Sequence, residues 1–298
     1  MQDAKAKANS EPDPGSYPSG GDELRIGRAL IGWIPPEQGK LLLAHNKLDG
    51  VDNPGNAEKI MAARGEVACR SARAIERDAV VHPPGSLNEH IAALAAAAPE
   101  MYSAGWQVKI VDLRQVRALQ PVVFTEDARA RVKGVDPTDL LALARLTVPL
   151  PSAPALPLQF DQIQRVWTIN SRNPNLRIVG QFAGPTPQGP TAVGFLIREL
   201  PSYLQVAVFQ GRHLLHDGYH RALGLLARGV NHVPAFVREF GAFEEMGINP
   251  GMLPQDAYLG QRPPILADYL DDRVAATVAV PFTRRMIVIG GFELSQNQ

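Results

Sequence analysis

Five consecutive residues, Asp217, Gly218, Tyr219, His220 and Arg221, combine types that do chemistry together. Gly218 permits a positive φ and close approach of a ligand. If a helix begins immediately after it, the first backbone N–H groups have no partners of their own, and with the helix dipole they favour an anion. Arg221, one turn in, adds a charge-assisted contact to that anion. His220 can donate or shuttle a proton, and Asp217 can act as a base or hold Mg²⁺ brought in with a nucleotide. This pattern suits a phosphate without containing a Walker motif. The competing reading is an ordinary helix start, with Asp217 as N-cap and Arg221 in solvent.

The surrounding pattern supplies elements to position the turn. LQVAVF (204–209) and RHLLH (212–216) read as strands joined at Gln210-Gly211 as a hairpin. Tyr219 to Arg228 reads as a short helix that Gly229 ends in the left-handed conformation. Val233 to Glu239 is the next strand. Upstream, QRVWTIN (164–170), LRIVG (176–180) and TAVGFLIREL (191–200) are β-rich, and the prolines of PLPSAPALP (149–157) mark a linker. Arg177 and Arg198 on these strands are candidates to line the same pocket. Further upstream, Ser86 to Glu89 reads as a capping box opening a helix over 87–98. WQVKIVD (106–112) and PVVF (121–124) read as strands, and Asp136-Pro137 as the start of a helix through Leu146. A last strand, MIVIG, spans 286–290.

Four of the seven histidines, His213, His216, His220 and His232, fall within 20 residues. His213 and His216 sit three apart on an expected strand and point to opposite faces, whereas zinc needs convergent ligands. With Cys69 as the single cysteine, neither a disulfide nor a thiolate zinc site is expected. The 30 Lys and Arg balance 30 Asp and Glu, which argues against nonspecific coating of nucleic acid or of an anionic membrane. With 45% hydrophobic residues the 298-residue chain has material for a core. No apolar run approaches the ~20 residues of a membrane span and no signal peptide opens the chain, so a soluble cytoplasmic protein is expected.

The run Leu214-Leu215-His216-Asp217-Gly218-Tyr219-His220-Arg221, followed by Ala222, Leu226, Gly229 and Val233-Pro234-Ala235-Phe236-Val237, resembles the ParB/sulfiredoxin-like superfamily. Its members share a strand, a glycine turn with a basic pair, a helix and a Val-Pro strand. The resemblance covers about residues 150–240, strongly over roughly 35 of them. It implies that the turn binds nucleotide phosphates. Tyr219 stands where sulfiredoxins carry a catalytic cysteine, so that thiol chemistry is not implied. The His220-Arg221 pair replaces the two arginines of chromosome-partition members, and only 59 residues follow Glu239, with no clear helix-turn-helix. The form is closest to the free serine kinase branch, in which a carboxylate acts as base. Asp161, Glu199 and Glu239 are the candidates here for a further carboxylate.

Together these readings predict an α+β fold. Residues 1–22 form a disordered arm, 23–148 an N-terminal α/β segment, 149–240 a ParB/sulfiredoxin-like mixed sheet with helices, and 241–298 an extension packed on it. The expected function is binding of a nucleotide or other small phosphate ligand, with Mg²⁺ and ATP or CTP, and extending to hydrolysis or phosphoryl transfer to a small molecule. Two alternatives stay open. One is a non-catalytic scaffold that binds a protein partner or a second copy of itself. The other is a ParB-like nuclease or DNA-binding regulator, which the neutral charge disfavours.

Overall fold

Short hydrophobic runs broken by glycine and proline build short elements in the computed structural model, which describes residues 24–44, 53–73, 79–152, 155–171, 175–185, 189, 191–281 and 285–290. The arm expected at 1–22 lies outside them. In chain order the elements are β1 (Leu24–Ala29), α1 (Pro36–Ala44), α2 (Pro54–Cys69), β2 (Val80–Val81), α3 (Asn88–Ala97), α4 (Pro99–Ser103), β3 (Gln107–Asp112) and β4 (Val122–Phe124). They continue with α5 (Thr125–Arg131), α6 (Leu140–Thr147), β5 (Leu158–Asp161), β6 (Val166–Ser171), β7 (Leu176–Pro185), β8 (Thr191–Glu199), β9 (Gln205–Phe209) and β10 (Arg212–Asp217). The last are α7 (Tyr219–Ala227), β11 (His232–Phe240), α8 (Gln255–Leu259), β12 (Ala276–Pro281) and β13 (Arg285–Gly290). The class is α+β. No helix among the described residues is long and apolar enough to cross a membrane.

The central sheet has the order β10-β9-β11-β3-β2. The β9–β10 hairpin turns at Gln210 and Gly211, both at positive φ, as a two-residue hairpin turn requires. The chain then crosses through α7, and β11 returns parallel to β9, with Phe236 opposite Gln205. On its other side β11 pairs antiparallel with β3, Val233 opposite Val111. The sheet is therefore built from both sides of residue 149. A second sheet, β12-β1-β4, joins the two ends of the described chain. One continuous core, including Leu113, Val123, Leu204, Leu214, Phe236 and Tyr269, lies beneath both. Residues 158–199 instead contribute to two small separate sheets: β5 and β6 pair with the C-terminal β13 in the order β13-β6-β5, and β7 and β8 form a hairpin.

Two predicted helix starts move. Ser86 caps nothing: it lies in a single 3₁₀ turn over Gly85–Leu87, and α3 follows directly from that turn without a side-chain cap. Asp136 closes a local turn by accepting from the Thr138 amide and hydroxyl. The cap of α6 is Asp139, whose carboxylate accepts from the amides of Leu141 and Ala142. At α6 a second suitable residue three positions on won the competition for the free amides.

Helix α7 is seated on α5 through Gly224. A Cβ there would stand 2.3 Å from the Ala128 carbonyl oxygen, so the crossing admits no side chain. Gly65, on the exposed face of α2, has nothing within 4 Å of such an atom. Gly224→Ala is therefore expected to destabilise by about 1–3 kcal/mol through forced separation of the helices. Gly65→Ala should stabilise by about 1 kcal/mol through helix propensity. Chemical denaturation of the two variants beside the parent checks both signs.

Candidate functional site

The turn between β10 and α7 takes the shape expected of it. Gly218 adopts φ 89°, in the left-handed region, and a Cβ at this position would come within 2.8 Å of the Leu204 Cα. Glycine is thus needed for both conformation and approach. The first i→i−4 bond of α7 runs from the Ala222 amide to the Gly218 carbonyl (2.9 Å), leaving the amides of Tyr219, His220 and Arg221 ahead of it. The Gly218 amide itself donates to Asp217 Oδ1 (2.6 Å).

The three side chains that follow diverge. The Tyr219 hydroxyl points into the core, accepting from the amides of Leu119 (2.8 Å) and Gln120 (3.2 Å) and donating to the Leu215 carbonyl. Burial holds this phenol far above its ordinary pKa. His220 turns toward α5. It stacks on Phe124 at an interplanar angle of 6°, and its Nε2 accepts the Phe124 amide at 3.3 Å. Only Arg221 reaches the side of the turn where a cleft opens.

That cleft has a volume of about 220 Å³ and is walled by Arg131, Ser152, Asn175, Glu199, Ser202 and Arg221 together with Pro149, Leu150, Leu200 and Pro201. Arg221 is 5% exposed and forms its floor. Nη1 donates to the Leu146 carbonyl (2.9 Å) near the end of α6, and Nη2 donates to the Ser202 hydroxyl (2.5 Å). Ser202 in turn donates to Asp217 Oδ2 (3.2 Å). Burial lowers the Arg221 pKa to about 10, with Asp217 raising it and Arg131 lowering it further, so the side chain stays cationic at neutral pH. Arg131, exposed at the end of α5, forms no ion pair or hydrogen bond among the described residues. Glu199 accepts from the Ser171 hydroxyl (2.5 Å).

The predicted site residues therefore separate. Asp217, Arg221 and Glu199 meet at or beside one cleft. Gly218, Tyr219 and His220 are not part of its wall, because the turn is pressed against Leu204 and its second and third side chains face the core and α5. Of the 217–221 run, Arg221 is the residue that stands on the cleft wall. Arg177 and Arg198 face each other across the β7–β8 hairpin, both exposed. Asp161 holds the β5–β6 turn by accepting from the amides of Ile163 and Gln164. Glu239 is exposed on β11 opposite Val208. Ser202 and Arg131 were not singled out in the sequence. Neither carries a spacing signal, since Ser202 follows a proline outside any motif and Arg131 resembles the basic last turn common in helices. Among the described residues no group of three or more His, Cys, Asp and Glu is placed to hold a metal ion.

Compared with known proteins, the chain matches no family model, no curated protein and no solved structure.

His220 carries a measurable signature. Its pKa falls to about 4, chiefly by burial, with Arg131, Arg25 and Arg221 adding repulsion. The unfolded chain takes up this proton near pH 6.5 and the folded one only near 4, so the contribution is complete above pH ~6.5 and is lost as pH falls through that window, by about 3 kcal/mol in all. The difference in unfolding free energy between parent and His220→Gln, followed by denaturant titration from pH 7 to 4, should shrink by an amount of that order.

Proposed function

We propose that the protein binds a small phosphate-bearing ligand of nucleotide type in the cleft above Arg221. The observation that carries this reading is a buried guanidinium, anchored at Nη1 and Nη2 and still holding further N–H donors, beside a second arginine that has no anionic partner among the described residues. Arg131 and Arg221 repel one another and outnumber Glu199, the one carboxylate on the wall. An anion placed between them relieves that repulsion and completes both forks. The order of hairpin, glycine turn, helix and returning Val-Pro strand supports a ParB/sulfiredoxin-like arrangement of the central sheet.

A cleft of about 220 Å³ is smaller than the ~300 Å³ or more that encloses a drug-sized ligand. It suits the phosphate end, with the remainder lying outside. Mg²⁺ would arrive with the phosphates, and Glu199 is the carboxylate on the cleft wall suited to receive it. Hydrolysis or phosphoryl transfer is the catalytic extension of the same reading, with Asp217 beside the reacting end through Ser202.

Calorimetric titration with ATP, CTP and pyrophosphate, each with and without Mg²⁺, tests this. Binding is expected for at least one of them. Arg131→Ala, at an exposed position, should weaken it about tenfold or more, as loss of one charge-assisted hydrogen bond predicts. Binding of none, or an Arg131→Ala variant equal to the parent, removes the proposal.

A second reading is favoured by the β7–β8 ribbon, where Ile178, Val179, Phe182, Val193, Phe195 and Leu196 are exposed on two strands with no third among the described residues. An isolated two-stranded hairpin is marginal in water, and an apolar one of this length suits a protein partner or a second copy of the chain. Sedimentation velocity over a hundredfold concentration range should then show self-association that Val193→Glu with Phe195→Glu abolishes. A monomer throughout leaves no support for the second copy.

A further inference from the structure

We propose that Ser202 is a nucleophile and accepts a phosphoryl group from the ligand bound in the cleft, an inference that rests on the phosphate-ligand reading above. Three features meet at its hydroxyl. The proton is directed at a carboxylate, since Oγ donates to Asp217 Oδ2 at 3.2 Å. The oxygen receives a hydrogen bond from the Arg221 guanidinium at 2.5 Å, which stabilises negative charge as the proton leaves. The residue also stands on the cleft wall, which Arg131 shares and from which it can hold the oxygens of a transferring group. A hydroxyl, a base and paired cations around one cavity form the constellation of nucleophilic phosphoryl transfer.

Other hydroxyls nearby lack this combination. Ser152 is on the cleft wall but has no carboxylate partner among the described residues. Ser171 donates to Glu199 but is not part of the wall. Tyr219 spends its hydroxyl on two backbone amides and a carbonyl in the core. The position of Ser202 is also fixed from behind: the Leu204 amide donates to the Thr147 carbonyl (2.7 Å), the Leu204 carbonyl accepts from Phe236, and Gly218 lies against the Leu204 backbone.

The step balances with a phosphoanhydride or acyl phosphate as donor. Ser202 Oγ forms a bond to phosphorus, and the bond from phosphorus to the leaving oxygen breaks. The hydroxyl proton passes to Asp217, and the leaving group departs as a nucleoside diphosphate or a carboxylate. The product is a phosphoserine beside Arg221 and Arg131.

Intact-mass spectrometry of the full chain after incubation with Mg-ATP, Mg-CTP or acetyl phosphate tests the proposal, the three arms separating nucleotide from acyl phosphate donors. The expected result is the gain of one phosphoryl group, located at Ser202 by peptide fragmentation of the parent protein, so that the assignment does not depend on any variant folding. Ser202→Ala should take up none, and Asp217→Asn should slow labelling by about a hundredfold, within the range for loss of a general base. Calorimetry on the same samples separates the two claims. Phosphate-ligand binding without labelling, or a phosphoryl group found on another residue, overturns the role of Ser202 and leaves the binding reading standing. Failure to bind removes both.

Discussion

A cation carried out of water is the constraint around which this protein is arranged. Arg221 lies in the first turn of α7, buried with most of that helix, where ionised groups are costly unless hydrogen-bonded and compensated. Three partners offset the cost: the Leu146 carbonyl at the negative end of α6, the Ser202 oxygen, and the field of Asp217. These partners come from three separate stretches of chain, so satisfying one guanidinium ties the end of α6, the approach to β9 and the end of β10 into one place. Of its surroundings, only the cleft is left for a ligand to use.

Backbone geometry sets where that cleft can form. The parallel return of β11 beside β9 brings α7 over the sheet, and the glycine at 218 lets the helix start directly against Leu204. Gly218 packs too closely on Leu204 for any side chain, and in the reading proposed above the anion is met by Arg221, the first long side chain of the run to reach the cleft. The 158–199 segment then supplies the opposite wall, through Asn175 and Glu199. A piece of chain that lies in small sheets apart from the central one thereby lines the same cleft as Arg221 of α7.

The sequence was informative where short-range chemistry decides the outcome. The Gln210-Gly211 hairpin, the helix ending before Gly229 and the Val233 strand all follow from turn residues and periodicity, and the structure contains each of them. It was less informative where residues compete for one role, as with Asp136, which lost the cap of α6 to Asp139, and where a helix starts without a side-chain cap, as α3 does after the 3₁₀ turn that holds Ser86. It gave no access to side-chain direction in the 217–221 run. Successive helix positions are rotated by about 100°, so five adjacent reactive residues cannot share one cavity. Tyr219 and His220 went to the core and to α5, while Ser202 and Arg131, distant in sequence and plain in context, took their places. Pairing of β3 with β11 across more than 100 residues likewise has no local signature.

A crystal structure grown with pyrophosphate interrogates the central claim most directly, because it locates the anion rather than its affinity alone. Phosphate oxygens are expected within hydrogen-bond distance of the Arg221 guanidinium and of Arg131, with Ser202 at the edge of the same density. Pyrophosphate bound elsewhere, or a cleft closed by the protein's own side chains with Arg131 paired to a carboxylate, would contradict it.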